Sequence, residues 1–273
     1  MAADAESGAS TLNNPELASE LERAVEERQF LLLYQPTIDL QSGAFVGVEA
    51  LLRWRHPIKG TISPDEFLPV LESTGLINAV GSWVLTTACR QGADWFARGH
   101  RFSVSINVSR QQLAKPALPS EVARALAEST FDPGHLVLEF SERVLADGAA
   151  LRASLERLKE TGVRLAIDDF GREAGSASLL EALPIDIVKI DRAFVSDLTT
   201  STSHAARVHQ LVQLGKLRHV QTVAQGIEDD DQRLRLQSEN VDVGQGFLFS
   251  VPHDVEAIDR FLEDYAIFSG KPL

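Results

Sequence analysis

Residues 30–54 read FLLLYQPTIDLQSGAFVGVEALLRW. Two apolar runs, 30–40 and 44–54, flank the turn residues Gln41, Ser42 and Gly43, and strands joined this tightly pair as an antiparallel hairpin. Upstream, a helical pattern opens at Pro15 and places Leu17, Leu21, Ala24 and Val25 on one face. The small, polar residues 1–14 before it are expected to be disordered. Downstream, Ser63 stands before Pro64, Asp65 and Glu66, a polar cap followed by proline and acids in a first helical turn. A longer helix is predicted over 77–98. Short β-rich runs then alternate with helical patterns. The strands are predicted at 102–109, 135–142, 164–170, 185–191, 219–227 and 241–249, and the helices near 119–129, 148–161, 174–182, 203–217, 229–238 and 254–267.

Repeated β-then-α units with short links imply a parallel sheet. Six such units after a hairpin approach the count of a closed eight-stranded α/β barrel. An open doubly wound sheet would call for a glycine-rich first turn, which the sequence lacks. No second composition regime or long linker interrupts the pattern, so one domain is expected over 15–270.

Acidic residues number 39 against 26 basic ones, a formal charge of −13, which is the wrong sign for a protein that coats DNA or RNA. The single cysteine, Cys89, cannot form an internal disulfide and fits a reducing compartment. Neither an apolar run of membrane-spanning length nor a secretory leader pattern is present, so a cytoplasmic protein without membrane insertion is expected.

In a barrel of this type the C-terminal ends of the strands carry the active site. Here those ends bear Glu49, Asn107, Glu139 with Glu142, Asp168 with Asp169, Lys189 with Asp191, Gln225 with Glu228, and Gln245. Singly, each has a local explanation. Glu49 could pair with Arg53, Asn107 and Asp169 could cap helices, and Lys189 could pair with Asp191 on one strand face. Together they form a cluster of carboxylates that needs cations. Oxygen donors without histidine or cysteine point to Mg²⁺, Mn²⁺ or Ca²⁺ rather than zinc, and two such ions suit phosphate-ester hydrolysis.

These residues carry a resemblance. Tyr34-Gln35-Pro36, EALLRW at 49–54, ISPDEFLPVLESTGLI at 62–77, INVS at 106–109, LEFSE at 138–142, DDFG at 168–171, KID at 189–191 and QGFLFSVP at 245–252 are similar to the EAL domain family. The resemblance implies a TIM-like (β/α)8 barrel with its first strand antiparallel to the rest, in agreement with the hairpin. It also implies phosphodiesterases that open cyclic di-GMP to the linear dinucleotide, or inactive relatives that bind it. Carried over by position, Glu49, Asn107, Glu139 and Asp168 resemble the ligands of one Mg²⁺ or Mn²⁺, and Asp168 with Asp169 those of a second. Lys189 resembles the lysine that holds the attacking water. Gln35 and Arg53 resemble dinucleotide contacts, Asp191 and Gln245 polar positions around them, and Glu142 the support of the loop after DDFG.

Two departures matter. The family's active members carry glutamate as general base where this chain has Gln225, and an amide cannot accept the proton. The loop after DDFG reads Arg172-Glu173-Ala174-Gly175-Ser176-Ala177 in place of a pattern near Thr-Gly-Tyr-Ser-Ser-Leu, so Glu142 is expected to lose its loop contacts. The first reading is therefore a cyclic di-GMP receptor that holds one cation or none. The alternatives are a slow phosphodiesterase with Glu228 standing in as base, and a protein-interaction module that has lost the nucleotide. A protein partner or a homodimer is compatible with each.

Overall fold

Asp39 builds the turn that the hairpin needs. Its carboxylate accepts hydrogen bonds from the backbone N–H groups of Ser42 (2.7 Å) and Gln41 (3.2 Å), and Gly43 takes the left-handed conformation (φ +71°) that closes the reversal. Strand β1 (Phe30–Asp39) thereby pairs antiparallel with β2 (Phe45–His56), in a register that sets Gln35 opposite Glu49. The computed structural model describes residues 15–269 apart from residue 174, so the expected disorder of 1–14 lies outside the described residues.

From β2 the sheet continues in parallel through β4 (Ser103–Asn107), β5 (Leu136–Ser141), β6 (Arg164–Phe170), β7 (Ile187–Ile190), β8 (Gln221–Ala224) and β9 (Val243–Gly244). Strand β9 then pairs antiparallel with β1, and the barrel closes on eight strands with β1 alone reversed. The closing seam is short: Ile38 opposes Gly244 and Asp39 opposes Val243, with one further bridge between Tyr34 and His253. A short strand, β3 (Gly60–Ile62), pairs with β2 at the edge of the sheet.

The parallel strands are mostly shorter than the sequence suggests. The run 241–249 supplies only two strand residues. After Gly244 the chain turns into a loop at the rim, where a Cβ on Gly246 would lie 2.1 Å from the Ile227 carbonyl oxygen. The helices fall close to their predicted ranges, from Pro15–Glu26 through Pro64–Thr74 and Ile77–Ala97 to Val255–Ser269. Ser63 precedes its helix as expected, but its side chain makes no capping bond. Pro64 at the first position has no N–H to satisfy. Two short helices, Arg110–Leu113 and Arg192–Ser196, have no counterpart in the periodicity.

Strand alternation divides the interior into two compartments. Outward residues such as Leu138, Phe140, Val188 and Ile190 pack against the helices in the main core, around Trp54, Trp95 and Phe67. Val137, Ala166, Ile187, Val223 and Val243 form a separate apolar layer inside the barrel. One step further along β5, β6 and β7 the inward positions become Glu139, Asp168 and Lys189. This alternation lifts the polar residues to the rim in one layer above the apolar plug.

Candidate functional site

Lys189 is the hub of that layer. Its ammonium donates to Glu49 Oε2 at 2.7 Å and Glu139 Oε2 at 2.5 Å, and lies 3.8 Å from Asp168 Oδ1. Lys189, Glu49 and Glu139 are all buried. Glu49 also accepts from Asn107 Nδ2 (2.9 Å) and Gln245 Nε2 (2.8 Å). Gln245 further donates to Gln35 Oε1 (3.1 Å), and Gln35 donates to the Ser250 carbonyl (3.0 Å). Side chains from β1, β2, β4, β5 and β7 and from the loop after β9 thus meet in one hydrogen-bonded network. Two local pairings considered from the sequence are not formed. Lys189 binds Glu49 and Glu139 in place of Asp191, and the Arg53 guanidinium donates to the Leu52 carbonyl (2.8 Å) in place of Glu49.

One lysine cannot neutralise three carboxylates. Burial opposes the charge on Lys189, but Asp168, Glu139 and Glu49 outweigh it and hold the ammonium well above its ordinary range. Burial would raise Glu49, yet Lys189 and the amides of Gln245 and Asn107 keep its carboxyl below the usual value. Glu139 carries the excess. Burial, with the charges of Glu49 and Asp168, pushes it up to about 8 despite Lys189.

The end of β6 is shaped differently. Adjacent residues of a regular strand face opposite ways, but the β6–β7 register breaks between Ile167 and Phe170, and Asp169 adopts φ +55°. Aspartate tolerates this conformation better than most residues. Asp169 is raised to about 7, first by burial and then by its hydrogen bond to Asp191 and the charge of Asp168. Asp191 accepts from the backbone N–H of Ala193 (2.7 Å), so it caps the short helix, and Arg172 approaches its other oxygen at 3.6 Å. Asn107 and Asp169, considered as helix caps, are not caps: Ser109 caps the helix after β4, and the helix after β6, Ser176–Ala182, starts at Gly175 without a side-chain cap. The Gln225 amide donates to Asp168 Oδ1 at 2.9 Å. Glu142 keeps the loop after DDFG despite its altered sequence, accepting from the backbone N–H groups of Gly171 (2.9 Å) and Glu173 (3.1 Å). The expected loss of these contacts is thereby corrected.

These strand ends border an open cleft of about 260 Å³, lined by Gln35, Glu49, Asp169, Gln225, Glu228 and Gln245 among the residues singled out in the sequence. Arg53 does not line it. Three further lining residues were not among the candidate site residues: Leu51 and Phe247, which lie inside the EALLRW and QGFLFSVP motifs, and Arg192 after β7; Phe247 is 65% exposed.

Among the described residues, no group of three or more acidic, histidine or cysteine side chains converges on a common point for an ion. The carboxylates converge on the lysine. The donor set nevertheless fits a divalent cation. All the donors are hard oxygens, and the charge that Lys189 leaves unbalanced is expressed in the raised Glu139.

Fold and site together define a closed α/β barrel with one reversed strand and an acid- and amide-rich rim centred on a lysine. The EAL domain model matches residues 18–252, and the chain belongs to the EAL domain family. It is 40% identical over 245 residues to the bifunctional diguanylate cyclase/cyclic di-GMP phosphodiesterase MucR of Pseudomonas aeruginosa, covering 89% of this chain and 36% of that protein. It is 38% identical over 248 residues to the cyclic di-GMP phosphodiesterase PA2567 of the same organism, covering 90% of this chain and 42% of the relative. The chain thus spans well under half the length of these relatives. Among solved structures, the MucR phosphodiesterase in complex with c-di-GMP superposes with a TM-score of 0.86 at 40% identity, covering 89% of this chain and 99% of that one. The EAL enzyme Bd1971, bound to cAMP and cyclic di-GMP, superposes with a TM-score of 0.87 at 28% identity, covering 92% of this chain and 69% of that one. No described helix is long and apolar enough to cross a membrane.

Proposed function

We propose that this chain is a cyclic di-GMP receptor with little or no hydrolysis. The observation that carries the reading is Gln225. At the position where the family resemblance calls for a general base, an amide donates to Asp168 Oδ1 and has no basic atom to take a proton from water. Loss of a positioned base alone costs roughly 10²–10⁴ in rate. The rest of the rim retains the polar residues a dinucleotide would meet, Gln35, Gln245 and Asp169 in the cleft with Asn107 and Lys189 behind them. Relatives of similar sequence are cyclic di-GMP phosphodiesterases or were solved with cyclic di-GMP bound.

Glu49, Asn107, Glu139 and Asp168 would hold one Mg²⁺ or Mn²⁺, and such an ion polarises a phosphodiester oxygen when bound. A second ion would rest on Asp168 and Asp169 without an anionic third donor, because Gln225 is neutral. This supports one cation or none. Lys189 fixes Glu49 and Glu139, and Glu142 fixes the loop behind Asp169. A cytoplasmic site of action agrees with a nucleotide second messenger as ligand.

A slow phosphodiesterase is the second reading. The intact Lys189 network and the Glu228 carboxylate on the cleft wall favour it. Calorimetric titration of cyclic di-GMP into the protein with Mg²⁺ separates the two. The receptor gives a saturating single-site heat and no linear product on chromatography, whereas sustained heat with product defeats that reading. Gln225→Glu should then raise turnover by two or more orders of magnitude. An absence of any heat would point to a domain that has lost the nucleotide.

A further inference from the structure

A second groove, of about 410 Å³, opens between the end of the helix Pro15–Glu26 and the helix Ile77–Ala97, and it shares no lining residue with the rim cleft. On the longer helix its wall is a stripe at helical spacing, Val80, Trp83, Thr87 and Arg90, about 15 Å long at the rise of an α-helix. Val25, Arg28 and Phe30 line the other side. The three tryptophans differ in how they are satisfied. Trp54 and Trp95 are buried, and their indole N–H groups donate to Gln29 Oε1 (2.9 Å) and Asp259 Oδ1 (2.8 Å). Trp83 is half-buried in the groove, and its N–H has no acceptor among the described residues. The Thr87 hydroxyl and the exposed guanidinium groups of Arg28 and Arg90 have no partner among them either. Elsewhere on the surface arginines find acids: Arg98 holds Asp259, Arg233 holds Asp230 and Arg235 holds Glu239. Here two do not, in a chain with 39 acidic residues against 26 basic ones. Arg28 also stands in the left-handed region at φ +56°, which glycine adopts more readily.

The geometry points to a docking groove for an acidic peptide segment of a partner protein, one that sets large apolar side chains on Trp83, Val80 and Phe30 and carboxylates on Arg28 and Arg90. This inference is independent of the nucleotide-binding reading. Each half of the groove argues for the combination. A small anion would engage the arginines and leave the apolar floor wet. A purely apolar ligand would cover the floor and leave two guanidinium groups beside it without an acceptor. A chain segment that alternates apolar and acidic side chains meets both, and tryptophan and arginine are the residue types that carry most of the energy at protein interfaces. The local charge is complementary to such a segment. No acid lines the groove among the described residues, although acids prevail over the chain as a whole. The stripe on the long helix gives the segment a rigid wall, and the indole N–H and Thr87 hydroxyl supply donors for its backbone carbonyls.

The test is acrylamide quenching of tryptophan emission on the intact chain, with melting curves to verify folding of each variant. Trp54 and Trp95 are buried, so the quenchable emission belongs to Trp83, and Trp83→Phe should abolish it. The probe is a synthetic peptide free of tryptophan, in which phenylalanine and leucine alternate with aspartate and glutamate. Its neutral counterpart carries asparagine and glutamine in their place. The expected result is saturable protection of Trp83 by the acidic peptide, weakened by added salt, with the neutral peptide about 10-fold weaker or worse. Arg28→Ala and Arg90→Ala should each weaken the acidic peptide by up to about 5-fold, and the double variant by about 10-fold or more. Equal binding of the two peptides would overturn the inference, as would folded arginine variants that bind like the wild type. Absence of saturable protection at millimolar acidic peptide would overturn it too. Protection by inorganic phosphate alone would make the groove an anion site, and protection that grows with protein concentration alone would make its occupant a second copy of the chain. Either result replaces the peptide.

Discussion

The Glu49–Lys189 half of the cleft and its Arg192–Glu228 half use the same kinds of side chain to opposite ends. In the first, Lys189, Glu49, Glu139 and Gln245 are buried and, with the exposed Asn107, bonded to one another across strands far apart in sequence. In the second, the Arg192 guanidinium and Glu228 carboxylate are exposed and have no side-chain partner among the described residues. Charge inside a barrel must be neutralised by the fold itself, since an isolated buried ion costs several kcal/mol. Charge on the wall is kept hydrated by water until something displaces it. The first half is therefore frame as much as site, and the second is free to serve recognition.

Lys189→Met should break the contrast most severely. It leaves Glu49 and Glu139 buried without their cation, and the expected loss is about 3–5 kcal/mol in urea unfolding. An unmoved midpoint would show that the frame does not depend on the lysine. Next in size is the effect of pH. Glu139 titrates near 8 when folded against 4.5 when free, and Asp169 near 7 against 3.8. Both are raised, so the folded state binds the extra protons. The stability they allow is complete below the free values and is lost as pH climbs through about 7 to 8. The melting temperature without divalent ions should fall over pH 5 to 8, and Mn²⁺ should restore most at the upper end. A flat profile would place the excess charge elsewhere.

Glu142→Ala should cost about 1–3 kcal/mol by removing the acceptor of two backbone amides, and should loosen amide-exchange protection at Gly171 and Glu173. Unchanged protection there would mean that the loop holds itself. Smallest of all, Arg192→Ala and Glu228→Gln should each stay within about 0.5 kcal/mol of the wild type in unfolding, as surface substitutions do. A larger loss would move them into the frame.

The sequence made the rim residues legible because strand alternation is strict: knowing that Val137 and Ile187 face inward puts Glu139 and Lys189 beside them. It could not show which carboxylates Lys189 selects. Glu49 is 140 positions away, whereas Asp191, two positions away, turns off the end of β7 to cap Ala193. The Glu142 contacts were misjudged for another reason. The donors are backbone N–H groups, which persist whatever side chains the loop carries. Arg192 escaped notice because a lone arginine after a strand has no periodic signature, and only closure of the barrel sets it opposite an unpaired acid.

The short seam between β1 and β9 has a consequence for the order of assembly. The β1–β2 hairpin joins close neighbours in the chain and can form early, while Ile38 and Gly244 must close a loop spanning most of the molecule for two residue pairs in return. The seam should form last and breathe first, with fast amide exchange at Leu40, whose N–H crosses it to the Asp242 carbonyl (2.9 Å). Above it, Gln35 and Gln245 reach across and bond to each other. A ligand that touches both would act as a clasp, slowing exchange along β1 at a distance from its own contacts.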